Sequence, residues 1–402
     1  MTEPDAETNA DPSTESVPEL GVAAETPDGA TGDATGDVTE PSFEERVRAA
    51  LPQVTRWLPG TKLPNPADSL REAADEAGEL DDPEEWDRYA TRGAVGVLEA
   101  KVKDLLGKPA AAMFPSGIMA QQSVLRVWAD RRGTTRIAIP DLSHLLLYEL
   151  DGPLLLNDFQ YERLTVGPQV PKVADLDAIP GHLAAALLEL PLRDGGYLLP
   201  TWDELSEFAQ KTRERGIPLH FDGARLWESQ PYLGHSLAEI ADLADTVYVS
   251  FYKGLTGMAG AVVAGPEDVV EEARQWRKRH GGTVFSMTAY ALSGLRGLRL
   301  MLPRMAEFYD RAVELAAAFA ERGVRIFPNP PHTNAFRVYA DLPVDVVNER
   351  VLASLEQDRV AVLGPLRAGD MPDTAWTEFT VGASTMEWGV DEAADAVARL
   401  LT

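Results

Sequence analysis

An aspartate and a lysine, each placed just past an apolar run, carry the strongest chemical signal in the chain. Residues 217–221 are apolar apart from His220 and lead into Asp222-Gly223-Ala224-Arg225; residues 246–251 lead into Tyr252-Lys253-Gly254. Runs of this kind read as buried strands. Open α/β sheets bind ligands beyond the carboxyl ends of their strands, so both side chains would reach one binding edge. An amine there can form a Schiff base, and a carboxylate can keep a pyridine nitrogen protonated so that the ring accepts electrons. Pyridoxal 5′-phosphate chemistry requires that pair.

Taken singly, Lys253 reads as a surface lysine and Asp222 as a helix cap; together, at one sheet edge, they read as a site. Arg225 lies close enough to grip a phosphate or carboxylate bidentately, or to form a structural ion pair. Pro115-Ser116-Gly117-Ile118 is a small-residue turn opening a helix, where free backbone N–H groups and the positive end of the dipole attract phosphate. His144, just past the strand expected over 136–140, is placed to stack on a flat cofactor. Ser250 offers a hydroxyl toward the phosphate. The glycines after Lys253 are spaced G-x-x-G-x-x-G, without the acid that a dinucleotide fold needs further on. The histidines show no metal-ligand spacing, so no metal is expected.

The elements that must hold these residues alternate. Residues 110–114 are a short apolar run; strands are expected over 136–140, 183–190, 217–221, 247–251 and 261–264, with helices over 95–106, 119–129 and 202–215, the last capped by Thr201. Alternation of apolar strands with helices predicts a mostly parallel sheet covered on both faces. Residues 59–83, dense in Pro, Gly, Asp and Glu, read as irregular connection. From about residue 303 helices (305–321, 345–357, 392–401) alternate with strands (335–340, 378–381), which predicts a smaller α+β unit. The expected organisation is an acidic disordered tail over 1–42, an N-terminal segment with a large cofactor-binding domain over 43–302, and a small C-terminal domain over 303–402. Ser42, followed by Glu44 and Glu45, reads as a helix N-cap.

At 402 residues the chain is long enough for two domains. Its net charge of −27 disfavours nucleic acid or an anionic membrane as partner. Residues 1–42 contribute eleven Asp or Glu and no Lys or Arg, and are too polar to order themselves. The chain has no cysteine, which removes disulfides and thiolate chemistry. Without a signal-like N-terminus or a membrane-length apolar run, the expected location is the cytoplasm.

In order and spacing, Gly107-Lys108-Pro109, Phe114-Pro115-Ser116-Gly117, Ser143-His144, Phe221-Asp222-Gly223-Ala224-Arg225 and Lys253-Gly254-Leu255 resemble the threonine aldolase and β-eliminating lyase family. The likeness runs from about residue 90 to about 340, and Trp276-Arg277-Lys278, Gly281-Gly282 and Thr333-Asn334 extend it. The resemblance implies an α/β fold of pyridoxal phosphate fold type I, the aspartate aminotransferase-like architecture. It implies that Lys253 holds the cofactor, Asp222 pairs with its ring nitrogen, and His144 stacks on the ring. Ser116, Gly117 and Ile118 would cradle the phosphate, and Arg225 would bind the substrate carboxylate or lie beside it. It further implies a homodimer or homotetramer with sites between subunits.

The substrate end departs from that pattern. Ile118 stands where a threonine is usual, and the Glu-Asn-Thr-His-like run is replaced by Pro191-Leu192-Arg193-Asp194-Gly195. An arginine expected near Glu378 or Phe379 is missing, as is one near Gly281–Ser286, and Tyr89-Ala90-Thr91-Arg92-Gly93 replaces another element. Arg193 or Arg92 is a candidate substitute, and Arg193 and Asp194 are candidate substrate contacts. The expected reaction is retro-aldol cleavage of a β-hydroxy-α-amino acid to glycine and an aldehyde. His144, Asp194 or a water would be the base. β-Elimination, racemisation or decarboxylation of another amino acid, and a non-catalytic role for the fold, are the competing readings.

Overall fold

The computed structural model describes residues 41–402; most of the expected acidic tail lies outside them. Ser42 caps the helix Phe43–Ala50 in a reciprocal capping box with Glu45. The chain then forms the short strand β1 (Arg56–Trp57) and the helix Pro66–Ala77. That helix corrects the expectation of irregular chain over 59–83: Asn65 accepts from the Asp68 N–H, and Pro66 occupies the first turn, where its missing N–H costs nothing.

Seven strands follow: β2 (Ala110–Phe114), β3 (Arg136–Ile139), β4 (Gln160–Arg163), β5 (Ala185–Glu189), β6 (Leu219–Gly223), β7 (Thr246–Ser250) and β8 (Ala261–Gly265). They form one sheet in the order β2-β8-β7-β6-β5-β3-β4. β8 runs antiparallel to both of its neighbours, and the other recorded pairings are parallel. Alternate side chains feed two cores. Phe221, Val247, Val249 and Val262 meet the helix Gly93–Leu106 on one face. Phe114, Leu187, Tyr248 and Val263 meet the helices Gly117–Arg132 and Glu267–Arg279 on the other. A sheet buried on both faces explains why its strands read as apolar runs rather than alternating ones.

β9 (Arg325–Phe327), β10 (Ala335–Ala340), the short β11 (Val360–Ala361), β12 (Arg367–Ala368) and β13 (Ala375–Thr380) complete the chain. β12, β13, β10 and β9 make an antiparallel sheet, with the rings of Phe319, Phe336 and Phe379 packed 5.2–6.0 Å apart behind it. The helices are Met305–Glu321, Val344–Ala353 with a wide turn over Ser354–Asp358, and Val390–Leu401. β1 pairs with β11, and Val47, Ala50 and Val54 share a core with Leu352, Leu355 and Ala361. Residues 43–57 therefore pack on the C-terminal elements, and not on the large sheet with which the sequence grouped them.

Candidate active site

β6 and β7 are parallel neighbours with Asp222 opposite Tyr248, so both strands end at the same edge of the sheet. Asp222 points to the face covered by the helix Gly117–Arg132. There Oδ2 accepts from Gln121 Nε2 at 2.8 Å and Oδ1 accepts from the Ala224 N–H at 3.1 Å. Lys253 lies three residues past the end of β7. The turn after it is pinned by the Gly254 N–H, which donates to Glu228 Oε1 at 2.9 Å. Burial, and then the Arg225 guanidinium, push the Lys253 amine down to about 8, against the opposing pull of Asp222 and Glu189. Among the described residues no carboxylate forms an ion pair with Lys253.

The Pro115-Ser116-Gly117 turn opens a helix, Gly117–Arg132, as its small residues implied. Ser116 caps the helix by accepting from the Met119 N–H at 3.3 Å. Gly117 is required by close approach: a Cβ there would lie 2.0 Å from the Tyr248 hydroxyl. Ile118 follows, half-buried, at the helix start. His144 opens a short helix, with Nδ1 2.9 Å from Glu149 Oε1 and its ring 4.9 Å from that of Tyr148. Ser250 differs from expectation. Its hydroxyl donates to the Ala224 carbonyl at 2.8 Å and so ties β7 to the turn after β6.

The polar cluster around Arg193 gathers residues from distant parts of the chain. Arg193, expected as a free substrate contact, is instead committed: Nη2 and Nε lie 3.0 and 3.3 Å from Glu378 Oε2. Tyr197 donates its hydroxyl to the same oxygen at 2.7 Å. Burial alone would raise the Glu378 carboxyl, but Arg193, Arg225 and Tyr197 outweigh it and hold it below the usual carboxylate value. Asp194 accepts from the Tyr148 hydroxyl at 2.6 Å, and its carbonyl accepts from Arg337 Nη2 at 2.9 Å. Arg225 lies over the Tyr197 ring, 5.5 Å from its centroid; among the described residues it forms no ion pair. Arg92 lies at the start of the helix Gly93–Leu106 with φ +64°, and among the described residues its side chain forms no hydrogen bond or ion pair with this cluster.

The structure thus brings together Lys253, Asp222, Arg225 and Arg193, which act electrostatically on one another. His144 and Asp194 join them through Glu189 and Tyr148. Sequence reasoning missed Gln121, Tyr148, Glu189, Tyr197 and the role of Glu378. Only Gln121 had a local signal, standing one helical turn beyond Gly117 on the face that a phosphate-binding helix turns toward its sheet.

These residues fit pyridoxal phosphate. The backbone at Gly117 is held where no side chain is tolerated, the Gln121 Oε1 is buried without a partner, and an unpaired amine and guanidinium face the same edge. A mostly parallel seven-stranded sheet with this set at its strand ends defines a pyridoxal phosphate-dependent enzyme of fold type I. The family profile described as β-eliminating lyase matches residues 63–343. A putative L-allo-threonine aldolase of known structure from Listeria monocytogenes is 35% identical, with a TM-score of 0.83, over 90% of this chain and 99% of that one. Low-specificity L-threonine aldolase 1 of Arabidopsis thaliana is 26% identical over 74% of this chain and 85% of the relative. The low specificity L-threonine aldolase of Escherichia coli K12 is 29% identical over 60% and 73%. The chain belongs to the threonine aldolase and β-eliminating lyase family and is a pyridoxal phosphate-dependent lyase.

Proposed function

We propose that the protein cleaves the Cα–Cβ bond of a β-hydroxy-α-amino acid, releasing glycine and an aldehyde. The observation that carries this reading is the unpaired Arg225 beside Lys253 and Asp222: a carboxylate-binding guanidinium next to an amine poised near neutrality. Lys253 would hold the cofactor, Asp222 would keep its ring nitrogen protonated, and His144 would cover the ring. Ser116 and the backbone of Gly117 and Ile118 would receive the phosphate, with Ser250 supporting the turn after β6 from below. Bound there, the cofactor supplies a sink for the electron pair released when the Cα–Cβ bond breaks.

The chain's own residues supply the rest. Arg225 orients the substrate carboxylate with two parallel hydrogen bonds. With His144 donating its Nδ1–H to Glu149, Nε2 keeps a lone pair and takes the β-hydroxyl proton as the carbonyl forms. Asp194 and Tyr148 close the far wall, where they contact the substrate's hydroxyl-bearing end. Arg193 shapes this wall by fixing Glu378.

The same reading makes the protein a cytoplasmic homodimer or homotetramer whose sites are completed by a second copy. In support, Leu147 and Tyr252 beside the site are 37% and 36% exposed, and Leu155 and Leu156 are 74% and 70% exposed. Among the described residues no helix is long and apolar enough to cross a membrane.

Incubation with L-threonine, L-allo-threonine and phenylserine, with product analysis, tests the reaction. Glycine plus aldehyde is expected; a keto acid plus ammonia would overturn it in favour of β-elimination. The visible cofactor band near ~420 nm should be absent in Lys253→Ala, and its persistence would refute the assignment of that lysine.

A further inference from the structure

Glu189 ends β5, only 8% exposed, and has no part in the roles above. Three donors converge on it. Oε2 accepts from the Ser143 hydroxyl at 3.2 Å and from the His144 N–H at 2.9 Å, while Oε1 accepts from the Arg193 N–H at 3.2 Å. One side chain therefore ties the segment that presents His144 to the loop that presents Arg193 and Asp194. In the sheet it stands directly opposite Asp222.

The charged and titratable groups around it come from every neighbouring element. Asp222 faces it from β6, His144 from the segment after β3, Arg193 and Asp194 from its own following loop, and Lys253 from beyond β7. A small cavity behind it is walled by Leu188, Leu190, Leu205 and Phe208. Glu204 also lines that cavity, with its carboxylate taken by Thr201.

These surroundings pull in opposite directions. Two fixed backbone N–H groups favour the carboxylate, whereas burial and the neighbouring Asp222 favour the acid. The balance leaves the Glu189 carboxyl pushed up to about 7, burial being the largest cause. Ser143 accommodates both forms, because a hydroxyl can donate to a carboxylate or turn and accept from a carboxylic acid. No contact need break when the proton arrives or leaves.

We propose that Glu189 is a positioning residue that locks His144 to Arg193 and holds an exchangeable proton beside Asp222 and Lys253, so that the charge around the cofactor follows its ionisation. This rests on the reading of Lys253 and Asp222 as the cofactor's partners. Glu189→Gln removes the charge and offers an N–H where one of the three donors points. Glu189→Asp keeps the charge and shortens the reach.

The test is a pH titration of the visible band of the holoenzyme, with kcat and KM measured in parallel. In Glu189→Gln the midpoint should fall by about one pH unit, because a negative charge near the cofactor's protonated nitrogen is lost. In Glu189→Asp the midpoint should stay at the wild-type value while kcat falls as His144 is released. A Glu189→Gln midpoint equal to that of wild type would overturn the proposal alone. Absence of the band in the wild-type protein would overturn the site reading and this proposal with it. Should Glu189→Gln fail to fold, infrared difference spectra of the wild-type, cofactor-free chain decide. A buried carboxylic acid should lose its proton between about pH 6 and pH 8, and the absence of any such signal would overturn the proposal.

Discussion

Which arginine receives the substrate carboxylate is decided by comparing Arg225→Met with the pair Arg193→Met and Arg193→Met/Glu378→Gln. Arg225 forms no ion pair among the described residues, so its loss should remove a charge-assisted bond to substrate worth about 1.5–3 kcal/mol, or about 10- to 150-fold in kcat/KM. Arg193 is bound to Glu378, and the two side chains are 5% and 4% exposed. Removing one partner of such a buried pair typically costs about 3–5 kcal/mol of stability, because a charge is left stranded. Arg193→Met should therefore lower stability, and adding Glu378→Gln should restore much of it while keeping an acceptor for the Tyr197 hydroxyl. Steady-state kinetics with the best substrate, alongside denaturation midpoints, would separate the two. Expected are a large KM increase in Arg225→Met and a KM within about threefold of wild type in the double variant, well below the smallest loss expected for a charge-assisted bond. If the double variant loses as much kcat/KM as Arg225→Met, Arg193 binds substrate and the assignment is wrong.

Gly117→Ala should weaken pyridoxal phosphate binding at least about tenfold by absorbance titration. Tyr248→Phe should rescue only part of this, because the ring Cζ would still lie 2.6 Å from the new Cβ. Capture of the cofactor by the cofactor-free protein needs the neutral Lys253 amine, so its initial rate should rise with pH and level off above about 8. Arg225→Met removes a charge that lowers the amine's pKa and should move that limb to higher pH; Asp222→Asn removes one that raises it and should move the limb lower. A limb unmoved by both would contradict the electrostatics. Asn65→Ala should cost about 0.5–2 kcal/mol by loss of a helix cap, seen as faster hydrogen exchange in the helix Pro66–Ala77 and unchanged cofactor affinity.

Much of the cofactor end was legible in the sequence because each of its parts is local. Asp222 and Lys253 sit just past apolar runs, and Ser116 and Gly117 open a helix, so strand and helix boundaries alone bring them to one edge. The strand Ala335–Ala340 and the helix Met305–Glu321 fall where their apolar spacing put them. The helix Pro66–Ala77 was hidden because its capping residues are also turn residues. The position of β1 was hidden because its partner β11 lies some three hundred residues away. Glu189 ends a strand whose apolar run continues into Leu190, and nothing in that run marks a buried acid whose donors come from the distant segment after β3 and from its own following loop.

The substrate end was illegible for the same reason, and its two oddities prove to be one. In sequence, an arginine is missing near residue 378 and an arginine stands unexpectedly at 193. In space these positions meet: Arg193 and Tyr197 aim three donor atoms at one oxygen of Glu378. A carboxylate standing where a cation was expected would repel a substrate carboxylate unless neutralised, and the nearby arginine neutralises it. Arg193 is therefore committed to Glu378. Arg225, whose place beside Asp222 is set by the β6 turn itself, forms no ion pair among the described residues and is the cation the proposed reading assigns to the substrate. On the proposed reading, recognition of the substrate carboxylate would then rest on the turn after the strand that carries Asp222.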